Sequence, residues 1–146
     1  MDIWELIARE RIRDTVAAYN HAGDRGRIDD LAATFTEDGV LEVVGRDPAA
    51  GRAAIVAMLS RSVERGSDLT TAGRPHFVRH FVTSLRFEEV TPERARTSAY
   101  FLVVTPAGPD HWGRYRDVHV PVGDEWQIAH RVVRVDAKAE GSHLEL

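Results

Sequence analysis

The stretch His76–Asp136 reads HFVRHFVTSLRFEEVTPERARTSAYFLVVTPAGPDHWGRYRDVHVPVGDEWQIAHRVVRVD. It is rich in β-branched and aromatic residues and is broken by Thr91-Pro92-Glu93, Pro106-Ala107-Gly108-Pro109 and Gly123-Asp124. Four strands are expected, over about residues 76–90, 94–105, 112–122 and 125–136. Connections this short join antiparallel neighbours, because a parallel crossover needs a dozen or more residues. The second half of the chain is therefore expected to form an antiparallel meander.

The first half has a different period. Asp2 with Glu5 three residues on has the form of a capping box, and Ile3, Leu6, Ile7, Ile12, Val16 and Tyr19 recur near helical spacing, which predicts a helix over about residues 3–22. Gly23 and Gly26 interrupt it, and a short pattern with Leu31 and Phe35 follows. Thr36-Glu37-Asp38-Gly39 then turns the chain into a strand-like run, Val40–Val44. Asp47–Gly51 reads as a loop, and Ile55, Met58, Leu59 and Val63 mark a further helix ending at Gly66. Residues 67–75, rich in Gly, Ser, Thr and Pro, read as a mobile loop. Helices first and strands later give an α+β fold, with helices over one face of a curved antiparallel sheet.

Composition bounds the rest. A chain of 146 residues suits one domain, 1–146, with a core over about 3–136 and a tail at 137–146. With no cysteine, disulfides, thiolate metal sites and cysteine nucleophiles are excluded, which suits a cytoplasmic location. The 19 basic and 23 acidic residues are interspersed, giving a net charge of −4 and no basic block for nucleic acid. No run is long and apolar enough to span a membrane or to serve as a signal peptide.

Strict alternation along 76–90 puts His76, Val78, His80, Val82 and Ser84 on one face and Phe77, Phe81, Leu85 and Phe87 on the other, although a bulge would exchange the two. His80 reads either as a satisfied core or edge histidine or as a group lining a cavity. Asp24, between Gly23 and Gly26, reads as a turn or cap residue, or as the carboxylate partner of His80. Such a pair matters because the carboxylate fixes the imidazole tautomer and stabilises the imidazolium that forms on proton uptake. Alternation along the last strand groups Gln127, Ala129, Arg131 and Val133 against Trp126, Ile128, His130 and Val132. An inward Arg131 needs a partner, supplied by a bound anion, a substrate oxygen or Asp24; the alternative is a cross-strand salt bridge on a solvent face. Tyr19 and Asp24 point about 140° apart on an ideal helix, so they share a pocket only if the helix ends or bends near Gly23. In Arg114-Tyr115-Arg116-Asp117, Tyr115 is expected inward between solvated arginines, the alternative being that the run contributes to a dimer surface. The seven histidines include no helical His-x-x-x-His or His-Glu-x-x-His, and no glycine-rich dinucleotide motif or Gly-x-Ser-x-Gly elbow is present, so neither a metal nor an organic cofactor is expected.

Several segments in order resemble the SnoaL-like branch of the nuclear-transport-factor-2-like superfamily. They are Tyr19 with Asp24, the run 31–40, the helix start 51–55, Arg79-His80, Gly113–Asp117 and Trp126–Arg131, spanning about residues 3–136. The resemblance implies a cone, in which a strongly curved antiparallel sheet wraps around helices and leaves an apolar pocket with a few polar groups at its base. Within this family the chain is similar to bile-acid 7α-dehydratase and hexachlorocyclohexane dehydrochlorinase, and more distantly to scytalone dehydratase. That similarity implies Asp24 and His80 as an acid–base pair, with Tyr19 or Arg131 stabilising the oxygen or leaving group. It implies Val82, Ser84 and Phe35 as pocket contacts.

The chemistry so implied is a cofactor-independent elimination, isomerisation or cyclisation of a small apolar molecule such as a steroid, terpenoid, polyketide or xenobiotic. A non-catalytic binding or accessory subunit is the other class this superfamily contains. The resemblance implies a homodimer through the outer sheet face, as is usual for relatives; Trp112 with Val118, Val120 and Val122 reads either as its apolar surface or as residues covering the helices.

Overall fold

The computed structural model describes residues 1–67, 77–142 and 144. The loop expected at 67–75 lies almost wholly outside these residues, and so does His76. Helix α1 (Ile3–Asp24) leads into a short α2 (Ile28–Ala33), then β1 (Phe35–Val43), β2 (Ala49–Ala50) and α3 (Arg52–Ser67). Four long strands follow: β3 (Arg79–Val90), β4 (Ala95–Thr105), β5 (Gly108–Val122) and β6 (Glu125–Lys138). No helix among the described residues is long and apolar enough to cross a membrane.

The four strands form the expected antiparallel meander, and the curved sheet has the order β2-β1-β6-β5-β4-β3. Sequence spacing did not reveal that β1 joins β6 in parallel, with Leu41 opposite Arg131 and Val43 opposite Val133. Nor did it reveal β2, which sits within the expected 47–51 loop and adds Ala49 and Ala50 antiparallel to β1.

Helix α1 packs on β3 and β6 through Ala8, Ile12, Thr15, Val16, Tyr19 and Asn20, a stripe recurring every three to four residues. Its two ends serve different clusters. Ala8 and Ile12 meet Ala95 and Trp126, whereas Tyr19 and Ala22 join Phe35, Leu41, Ile55, Phe101, Tyr115 and Ile128. Fully burying a side chain such as Ile12 or Phe35 contributes about 1.5–3 kcal/mol.

The expected capping box does not form: Asp2 has extended backbone at the N-cap, but its side chain makes no capping hydrogen bond. The reciprocal half is absent too, since the Glu5 carboxylate accepts from the Arg9 guanidinium at 2.6 Å one turn along. At the other end the helix runs straight through Gly23. Gly26 then adopts φ +70° and turns the chain into α2, a backbone conformation that favours glycine.

Bulges decide which side chains face the helices. In β3 the register shifts between Thr83 and Arg86, with Ser84 at φ 54°. Before the shift His80 and Val82 turn toward the helices and Phe81 is 57% exposed; after it Leu85 and Phe87 turn inward instead. In β6 an extra residue, Ala129, lies between the pairs His119–Ile128 and Val118–His130. Arg131 therefore shares the buried side with Ile128, which strict alternation had placed opposite it. At Gly113 a Cβ would lie 1.9 Å from the Arg134 carbonyl oxygen, so only glycine lets β5 approach β6 there.

Candidate active site

Helix α1 ends on Asp24 beside the start of β3, and this juxtaposition brings the carboxylate and imidazole together. His80 Nδ1 lies 2.5 Å from Asp24 Oδ1, and the His80 backbone N–H donates to Asp24 Oδ2 at 3.0 Å. Burial alone would raise the Asp24 pKa. The hydrogen bonds from the His80 ring and amide outweigh it and hold the carboxyl below the ordinary carboxylate value. An ionised Asp24 only accepts, so Nδ1 donates to it, and the tautomer this selects in a neutral ring has its lone pair on Nε2.

His80 lines a cavity of about 150 Å³ between the helices and the sheet. Tyr19, Phe101, Tyr115 and His111 share its wall, with an aliphatic side made by Leu41, Val43, Met58, Leu59, Val133 and Val135. A cavity of this volume holds about one aromatic ring. Phe101 stacks on Tyr115 with centroids 4.7 Å apart, and its other contacts reach the His80 and His111 rings at 6.5 and 6.1 Å. Asp24 does not line the cavity, so it need not share a face with Tyr19: it acts from behind His80, and an unbent helix suffices.

Tyr19 sits in the cavity wall with its ring against Phe35 and Tyr115. Burial raises its phenol pKa against the opposing pull of Arg131, which keeps the hydroxyl protonated and able to donate. Arg131 is fully buried and does not line the cavity. Its partner is Asp117, directly opposite on β5, with Nε donating to Oδ1 at 2.8 Å and Nη2 to Oδ2 at 2.7 Å. The expected partners were Asp24, an anion or a substrate oxygen; the cross-strand pairing is what forms, but inside the core rather than on a solvent face. Burial opposes the charge on Arg131 and Asp117 more than restores it, so the guanidinium stays charged. It lies 4.2 Å from the Tyr19 ring centre and 3.9 Å from that of Tyr115, so it touches the cavity only through these two rings.

The three expected pocket contacts fall elsewhere. Phe35 is fully buried in the core behind Tyr19, Val82 packs against the edge of that core, and Ser84 is exposed at the β3 bulge; none lines the cavity. For Ser84 the bulge is the reason, since it turns the residue away from the face that His80 occupies.

Sequence reasoning missed a buried polar layer. Asp117 lies next to His119, whose Nε2 is 3.0 Å from Thr97 Oγ1, and burial depresses the His119 pKa to about 4, leaving the ring neutral. The inward placement of Tyr115 held the signal, because alternation puts Asp117 and His119 on the same face. It also missed His111, whose Nδ1 is 2.7 Å from Asp110 Oδ2.

With this fold and site the chain belongs to the SnoaL-like domain family, whose pattern matches residues 4–132. A protein of Catenulispora acidiphila, solved in complex with S-DNPA, is 33% identical over 88% of this chain and 92% of that one, with a TM-score of 0.74. Two proteins of Novosphingobium aromaticivorans share the fold. One, a scytalone dehydratase-like protein, is 20% identical over 96% of this chain and 91% of its own, with a TM-score of 0.78. The other, an NTF2-like protein with a cystatin-like fold, is 24% identical over 94% and 86%, with a TM-score of 0.73. No curated protein matches the chain.

Proposed function

We propose that the chain is a cofactor-independent acid–base enzyme, a lyase or an isomerase or cyclase, acting on a small apolar molecule that bears a carbonyl or hydroxyl group. The observation that carries this reading is the Asp24–His80 contact at 2.5 Å, with His80 facing a partly open cavity that has an aliphatic side and also carries Arg46 and Ser62 in its wall. His80 Nε2 takes a proton from a substrate carbon, Asp24 stabilises the resulting imidazolium, and the Tyr19 hydroxyl donates to the oxygen on which negative charge develops. General base catalysis contributes about 10²–10⁴-fold and a placed donor about 10²–10³-fold, enough for a C–H already acidified by a carbonyl. Arg131 supports Tyr19 from behind. Small-molecule binding by the Catenulispora acidiphila protein, solved with S-DNPA, supports a ligand site in this fold.

Elimination, isomerisation and cyclisation share this first step and differ in what the carbanion does next. A screen of hydroxylated carbonyl compounds for loss of water, read by the absorbance of the conjugated product, tests the reading. Turnover abolished in both His80→Ala and Asp24→Asn supports it. Unchanged turnover in both variants would remove the Asp24–His80 mechanism, and no turnover of any compound would favour a non-catalytic binding protein.

The proposal extends to a homodimer through the outer sheet face. Phe81, Leu102 and Trp112 stand in one cross-strand row there, beside Tyr100; Phe81 and Tyr100 are more than half exposed. The Val118, Val120 and Val122 set is half-buried apart from Val122, so the row through Phe81 offers more apolar surface.

A further inference from the structure

His111 mirrors His80 across the cavity. His80 on β3 pairs with Val103 on β4, and Val103 pairs with His111 on β5, so the two histidines occupy one cross-strand row, two strands apart. Both line the cavity. Each has a carboxylate at Nδ1: Asp24 for His80 and Asp110 for His111.

The second pair is built by an irregularity. Consecutive strand residues normally point to opposite faces, so Asp110 should not reach His111. Here Val103 pairs with His111 and Val104 with Pro109, which leaves Asp110 as the extra residue of a bulge and lets its carboxylate fold back to Nδ1. The chain beyond β6 holds it there. The Ala139 amide donates to the Asp110 carbonyl at 2.8 Å, Ser142 Oγ donates to Asp110 Oδ2 at 2.7 Å, and Leu144 closes that end of the cavity.

We propose that His111, positioned by Asp110 and Ser142, is a second hydrogen-bond acceptor of this cavity and selects ligands carrying two hydroxyl donors on one ring. The proposal rests on the reading of His80 as the cavity's first acceptor. Burial lowers the His111 pKa more than Asp110 raises it, so the ring is neutral near pH 7 with Nδ1–H given to Asp110 and Nε2 accepting. Two strand spacings separate the rows by about 9.6 Å. That is a backbone separation across which one small ring carrying two hydroxyls can address both imidazoles. The cavity volume suits one such ring.

The test compares resorcinol, phenol and benzene, each a single ring, by calorimetric titration, with ¹⁵N-detected imidazole spectra of the same samples. The diol is expected to bind about tenfold tighter than phenol and to shift the Nε2 resonances of both histidines. His111→Leu is expected to bring the diol down to the affinity of phenol, and Asp110→Asn to move the His111 proton from Nδ1 to Nε2. A diol advantage that survives His111→Leu but is lost in His80→Leu overturns this inference and leaves the His80 reading standing. A His111 shift with no His80 shift overturns both, because the inference needs His80 as the first acceptor. Equal affinity of diol and phenol in the unaltered protein overturns the two-acceptor proposal outright.

Discussion

Asp117 and Arg131 face each other across β5 and β6 and close a two-point ion pair inside the core, behind the rings of Tyr19 and Tyr115. Removing one partner leaves an uncompensated buried charge, which costs about 3–5 kcal/mol. Asp117→Asn and Arg131→Met are each expected to lower stability by that order in urea unfolding, with the double variant less damaged than the sum of the two. Strict additivity would show that the pair is not coupled.

The Asp24–His80 contact makes a separate prediction for rate. Asparagine at position 24 offers an amide N–H that satisfies the other imidazole tautomer, which turns Nε2 from acceptor to donor. Asp24→Asn should therefore lower turnover about 10²- to 10⁴-fold with little change in KM, and the imidazole ¹⁵N spectrum should show the His80 proton moved to Nε2. The same residue affects stability. Because its folded pKa lies below the unfolded one, its stabilising contribution is in place above the ordinary carboxylate range and is lost as pH falls through the folded value. That part of the acid limb should be missing in Asp24→Asn; an identical limb in both proteins contradicts the assigned ionisation.

The fold was legible where periodicity is a local matter, and the site only where the backbone stays regular. The helix over 3–22 and the four strands sit within a few residues of α1 and β3–β6, because apolar spacing and turn residues act over short range. Pairing of β1 with β6 is a long-range event that no local pattern carries. The two errors of facing, at Ser84 and Arg131, share one cause. Each lies at or just beyond a bulge, and one extra residue exchanges the two faces of a strand. Asp24 and His80 were readable because one ends a helix and the other precedes the β3 bulge.

Ser84 tests the bulge directly. A non-glycine residue at φ 54° is strained by about 1–2 kcal/mol, an amount that glycine avoids while losing some of the gain to chain entropy. Ser84→Gly is expected to be neutral or up to about 1 kcal/mol stabilising, and Ser84→Val, whose branched side chain resists positive φ, to be destabilising by more than 1 kcal/mol, on the order expected for enforced backbone strain. Thermal unfolding of the two variants checks this, and a stabilising valine would mean that the strand passes regularly through position 84.

His119 sets the acid sensitivity of the buried layer. It is fully buried, bonded through Nε2 to Thr97 and 3.7 Å from Asp117, and its pKa falls from 6.5 to about 4 on folding. Above pH 6.5 the ring is neutral in both states and titration costs nothing. Between 6.5 and 4 the unfolded chain binds a proton that the folded one refuses, so stability drains away across that window and the loss is complete below pH 4. At 1.36 kcal/mol per unit the loss amounts to on the order of 3 kcal/mol. His119→Gln keeps a polar group toward Thr97 but cannot titrate. Its urea midpoint is therefore expected to fall less than that of the unaltered protein between pH 7 and 4.5. The residual slope comes from His111, whose pKa is also lowered by burial. Parallel curves for the two proteins would mean that His119 is reached by solvent and protonates in the folded state.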